Sequence, residues 1–266
     1  MASKYRNSDA CAIYFQILRM KNFFAIYDAL LAELGDDARR ERVTRAVSCA
    51  RWALAESEEH TGIAMADGTD TAALVHPGGL EGLTLADAAE AMKSWNLREA
   101  GMGLAAANAF YNTPERIRVL HCAEPYENYC TAGLSFDGAS VGVIGHMGLT
   151  PEIHRAAHEV YIIERCPQPG DYPDAACEYI LPRCDYVFIT GSALVNKTLP
   201  RLLELSRDAY TILTGPSVPL CPALLDLGVD RLAGMAVRDR AAMRAHVLSD
   251  TPGSPYAMGE IFMMKR

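Results

Sequence analysis

Ser140-Val141-Gly142-Val143-Ile144-Gly145-His146-Met147-Gly148 is the stretch on which the reading of this chain turns. A short uncharged run rich in valine and isoleucine, closed by glycines, is the pattern of a strand buried on both faces at the point where it leaves the sheet. Similar runs follow at Val160–Ile163, Tyr186–Ile189, Tyr210–Leu213 and Arg231–Val237. Helical segments fall between them, at Asp174–Ile180 and Thr198–Ser206. Strand and helix in alternation imply βαβ units and a parallel sheet.

The strand ends carry the polar residues. Glu164 closes the second run, nineteen residues after Gly145, where a dinucleotide-binding domain holds ribose hydroxyls on an acid. The glycines do not complete G-x-G-x-x-G, and Thr150-Pro151 shortens the helix that should follow. The third run ends in Thr190-Gly191-Ser192 with Asn196 and Thr198 beyond it, and the fourth in Thr214-Gly215-Pro216-Ser217. In an open parallel sheet ligands sit outside the carboxyl ends of the strands, so these loops converge on one crevice. The sequence therefore predicts a Rossmann-like domain lining a pocket with Gly145, Gly148, Glu164, Thr190, Gly191, Ser192, Asn196, Thr198, Gly215, Pro216 and Ser217.

Upstream the rhythm differs. Ile13, Ile17, Met20, Phe24, Tyr27 and Leu31 recur at helical spacing up to Gly35, and His60–Ala66 reads as a short strand with a polar corner. Thr84 and Asn96 stand where helix N-caps belong, the second ahead of a run, Ala100–Phe110, made largely of alanine and glycine. Side chains so small let another backbone approach closely. Residues 1–135 are thus expected to form a smaller α+β domain, 136–250 the Rossmann-like domain, and 251–266, with Pro252, Gly253 and Pro255, a loosely attached tail.

Bulk properties narrow the function. The 266 residues are half apolar and carry a net charge of −8, which argues against nucleic acid or an anionic membrane as partner. No signal peptide or membrane span is visible, and eight scattered cysteines without a C-x-x-C pair suit a reducing cytoplasm, so a cytoplasmic protein is expected. Exposed apolar helix faces leave a homo-oligomer open.

The histidines include candidate metal donors. Glu59 and His60 in the polar corner, with His146 in the glycine turn, form the candidate metal set, on the expectation that they converge with Glu164 across the domain junction. His154 and His158 share a helical spacing but lack an accompanying carboxylate motif and read as solvent-facing or capping residues.

Taken in order, the Gly145 turn, Glu164-Arg165, Thr190–Thr198, Leu213–Ser217 and Gly228-Val229-Asp230 with Ala233-Gly234 resemble the family described as Putative heavy-metal chelation. The upstream half, with His60–Ala64 and Ala105–Asn108, is similar to that family's enolase-N-terminal-like domain. The resemblance implies a pocket shared by an enolase-N-terminal-like and a Rossmann-like domain, with a divalent or heavy metal ion, or a metal-bearing small molecule, as ligand. Two other readings stay open: an enzyme using a nucleotide-type cofactor (NAD or S-adenosylmethionine), and a small-ligand binding protein without turnover. No nucleophile–base pair decides whether there is catalysis.

Overall fold

The computed structural model describes residues 24–67, 72–120, 122, 131–148, 151–250 and 252–266. Most of the helix expected over the first 35 residues lies outside these. Its described end forms α1, Ala25–Ala32, and Gly35 is not a terminus but the first residue of α2, Gly35–Arg40, with φ +58°. A glycine adopts that left-handed geometry without steric cost, so it serves as the joint between two short helices.

Three antiparallel strands follow, β1 Arg45–Ser48, β2 Trp52–Glu56 and β3 Thr61–Met65, in the order β1-β2-β3. Helices α3, Leu85–Ala89, and α4, Leu97–Tyr111, begin at the two expected caps: Thr84 Oγ1 accepts from Asp87 N–H (3.0 Å) and Asn96 Oδ1 from Glu99 N–H (3.2 Å). Helix α4 packs across the small sheet at backbone contact. A Cβ placed on Gly62 would lie 2.1 Å from the Ala105 carbonyl oxygen and 2.2 Å from Ala109 N. The alanine-rich run is therefore a packing device, as its composition implied. A further helix, α5 at Pro114–Val119, starts at the Thr113 cap.

The second half is built on β4 Ser140–Ile144, β5 Glu159–Glu164, β6 Tyr172–Pro173, β7 Tyr186–Thr190, β8 Tyr210–Thr214, β9 Arg231–Val237 and β10 Gly259–Lys265. Between them run α6 Pro151–Ala156, α7 Cys177–Ile180, α8 Ser192–Val195, α9 Leu199–Leu205, α10 Pro222–Asp226 and α11 Arg240–Ser249. The sheet order is β10-β9-β8-β7-β4-β5-β6, parallel throughout except for the β9–β10 pair. Counted from β4, the six parallel strands stand as 3-2-1-4-5-6, the doubly wound order whose direction reverses between β4 and β7.

The expected tail is corrected here. Gly259–Lys265 pairs along its whole length with β9 and buries Phe262, Met263 and Met264. The prolines and glycine before it obscured an apolar strand that covers an otherwise open sheet edge.

The two halves share one apolar core, which runs from Leu30 and Leu104 to Leu194 and Leu224. Asn112, just past α4, clamps them: its Nδ2 donates to Val218 O (2.9 Å) and Met235 O (3.1 Å), and its Oδ1 accepts from Leu220 N–H (2.9 Å). Tyr27 adds a hydroxyl bond to Leu194 O (2.7 Å), and its burial pushes the phenol's pKa well above its usual value.

Candidate functional site

The site begins with three glycines. Gly145 N–H continues the β5 ladder by donating to Ile163 O, Gly191 N–H donates to Thr214 O, and Gly215 N–H to Ala233 O, each at 3.0 Å. Each strand thus runs one residue beyond its last side chain and then turns. Gly145 (φ +95°) and Gly215 (φ +122°) turn through backbone space that L side chains avoid. A Cβ at Gly145 would also press on Thr190 Cγ2 at 3.1 Å, so the β4 and β7 loops meet where the strand order reverses.

Beyond these turns lies a cavity of ≈ 1130 Å³, just above the usual range for small-molecule sites. The second half lines it with Gly145, Gly148, Glu164, Thr190, Ser192, Asn196, Thr198, Gly215 and Pro216, nine of the residues read from the sequence. Gly191 and Ser217 do not line it. Gly191 is pressed against Val218, where a Cβ would come within 2.9 Å of the backbone nitrogen, and the buried Ser217 accepts Met65 N–H on Oγ at 2.7 Å. Both hold the wall in place from behind.

The first half contributes the other face through Trp52, Met65, Ala66 and Asp67, around the end of β3. Arg165, Lys197, Arg201 and Tyr256 complete the rim, and none of these was singled out from the sequence as a site residue. Lys197 sits at φ +67°, rare for a residue with a side chain. Its ammonium donates to Met92 O (2.7 Å) and Val195 O (3.0 Å) and lies over the Tyr27 ring, and burial lowers its pKa to about 8.

Histidine 146 is in the wall but fully occupied. Its Nε2 is 2.8 Å from the buried Asp171 carboxylate and its Nδ1 is 3.2 Å from Gln168 Nε2. Glu164 is committed too: one oxygen accepts His146 N–H (2.7 Å) and the other Arg165 N–H (3.1 Å).

The expected convergence of Glu59 and His60 with His146 and Glu164 does not occur. Strand β3 carries its cavity residues at the Met65 end, while His60 precedes the opposite end, ~16 Å away along five residues at about 3.3 Å each. There His60 Nδ1 bonds to the Glu41 carboxylate (2.9 Å), and Glu59 N–H caps back onto Ser57 Oγ (3.3 Å). Arg240, from α11, grips the same turn through Ser57 O (2.6 Å), Glu58 O (2.7 Å) and Thr61 Oγ1 (3.0 Å). The polar corner is a structural junction.

A protein-only metal cage does not fit this wall. Among the described residues no three histidines, cysteines or carboxylates are grouped to hold an ion. His146 has both ring nitrogens engaged, and burial pushes the Cys177 thiol up to about 11, away from the thiolate that ligates metal. Nor is any helix among the described residues long and apolar enough to cross a membrane.

Fold and site together define a class: a doubly wound sheet whose switch-point crevice is roofed by a small α+β unit. Comparison with known proteins gives the chain's family. Two family models match, over residues 31–111 and 134–259, and both are described as Putative heavy-metal chelation. A crystal structure of a protein of unknown function from Desulfitobacterium hafniense is 35% identical, with TM-score 0.80, covering 92% of this chain and 99% of that one. A second, from Pyrococcus horikoshii, shares the fold at TM-score 0.69 and 21% identity over 89% of this chain and the whole of that one. An uncharacterised protein of Methanocaldococcus jannaschii is 34% identical over 86 residues, 30% of this chain, and the match spans 33% of that relative. This chain belongs to the Putative heavy-metal chelation family.

Proposed function

We propose that the crevice between residues 1–135 and 136–250 binds a small organic molecule that carries its own metal ion. The carrying observation is the pairing of a ≈ 1130 Å³ cavity, far larger than an ion needs, with the lack of a three-donor cluster among the described residues. In this reading the metal of the family's description arrives already chelated, and the wall recognises the chelator. Thr190, Ser192, Asn196 and Thr198 supply hydrogen bonds, while Trp52, Met65 and Tyr256 give apolar contact.

Native mass spectrometry with elemental analysis tests this. Incubation with Ni(II) or Zn(II) alone is expected to leave the protein without stoichiometric metal, whereas suitable metal chelates are retained with the chelator mass included. Tight one-to-one uptake of the bare ion would overturn the reading.

A second reading, a nucleotide-type cofactor, is favoured by the strand order alone. Against it, Glu164 already holds two backbone N–H groups, and the helix after the turn, Pro151–Ala156, has six residues. Including NAD and S-adenosylmethionine in the same screen separates the two.

A further inference from the structure

Charge along the cavity wall is almost entirely matched. Arg201 forks onto Glu178 (Nε–Oε1, 2.9 Å) and also reaches Glu204. Lys197 is spent on two carbonyls and Glu164 on two backbone N–H groups. Asp174 also lines the cavity and has no ion pair among the described residues. Arg165 is the exception among the cations. Its guanidinium meets one carboxylate through one nitrogen, Nη1 to Asp67 Oδ2 at 3.0 Å, while its Nε and Nη2 have no protein partner among the described residues.

That geometry is half of a fork. A guanidinium is shaped to grip a carboxylate with two parallel N–H bonds, and here one edge of the fork is unfilled at a cavity rim. The residue is also held in position from behind. Its backbone N–H is bonded to Glu164, and the loop after it is pinned by His146 through Gln168 and Asp171. Asp67 comes from the other half of the molecule, so it occupies the place that an entering anion would take.

We infer that Arg165 is the recognition point for a carboxylate of the ligand, with Asp67 as the intramolecular competitor that the ligand displaces. The inference rests on the chelate reading above and adds its chemistry: the molecule taken up is a polycarboxylate chelator, bound through an organic carboxylate. No covalent bond is made or broken in this step. Arg165 exchanges one carboxylate partner for another, and Asp67 passes to solvent.

Trp52 lines the cavity and Trp95 is largely exposed, so Trp95→Phe leaves one tryptophan, placed to report on the site. In that background the emission of Trp52 is titrated with nitrilotriacetate, with Zn(II)–nitrilotriacetate and with Zn(II)–diethylenetriamine, which has no carboxylate. Both carboxylate probes are expected to bind saturably and the amine chelate not to bind. Arg165→Met weakens the carboxylate probes about tenfold, the scale of a charge-assisted hydrogen-bond pair, with Arg165→Lys in between. Asp67→Asn tightens them a few-fold by removing the competitor, an effect that a merely structural ion pair would not produce.

Equal binding of the amine chelate, with no effect of Arg165→Met, would overturn the inference while leaving the chelate reading standing. Weaker binding in Asp67→Asn at an unchanged melting temperature would also overturn it. Silence of Trp52 toward all three probes, with no mass increment in native spectra, would remove both.

Discussion

Two parts of this molecule look alike in sequence and do opposite things. Glu58–Gly62 and Gly145–Gly148 with Glu164 each set a histidine beside a carboxylate and a glycine. In the first, the histidine and the turn's backbone groups are tied into a hairpin corner held by Glu41 and Arg240, and the Glu58 and Glu59 side chains face solvent. In the second, the same ingredients stand at the carboxyl ends of parallel strands, where loops from separate crossovers must meet. Composition fails to separate them. Position in the topology does.

Substitutions of the two glycines should separate the regions most sharply. Gly62→Ala drives a methyl into the α4 backbone and is expected to cost about 3 kcal/mol or more, read as a loss in chemical denaturation. Gly148 has open space around it, so Gly148→Ala should shift stability by less than about 0.5 kcal/mol while altering ligand uptake. Equal stability losses in the two variants would erase the contrast.

The histidines should differ more modestly. His60→Ala removes a part-buried pair with Glu41 and is expected to cost about 1 kcal/mol without touching chelate binding. His146→Ala releases the loop behind Arg165 and should weaken nitrilotriacetate binding a few-fold at nearly constant melting temperature. The reverse pattern would mean that the corner is the site.

A pH dependence within the wall itself offers a separate test. Burial lowers the pKa of Lys197 from its ordinary 10.5 to about 8. Between those values the unfolded chain holds the proton and the folded one does not, so this group makes stability rise with pH from about 8. Cys177, Cys184 and Cys221 act oppositely above pH 9, because burial raises each to about 11 in the folded state. Denaturation of wild type minus Lys197→Met across pH 7–10 isolates the rising component. A flat difference would show that the ammonium is solvated.

Much of the fold was legible because strands buried on both faces have no polar positions to disguise them. Runs beginning at Ser140, Tyr186, Tyr210 and Arg231 start where the structure starts its strands. Strand β6, two residues long, carries too little pattern to read, and β10 was hidden behind Pro252-Gly253 and Pro255. The loops after β7 and β8 were legible as site because a glycine beside a hydroxyl recurs at both strand ends, and the loop after β4 because glycines close its strand. Gly191 and Ser217 share that chemistry but face backward, a distinction of one residue's rotation that spacing does not encode. Trp52 and Asp67 come to the cavity from the other half of the chain, and no local pattern records that.

Docking of the halves through Asn112 also bears on how the molecule moves. One side-chain amide satisfies three backbone groups of the opposite half, inside a core that does not stop at the boundary. Opening the crevice by swinging one half away would strand all three groups without water, a costly event for any hinge. Access then falls to the rim loops alone. The protein should melt as one cooperative unit, and neither half expressed by itself should hold its shape.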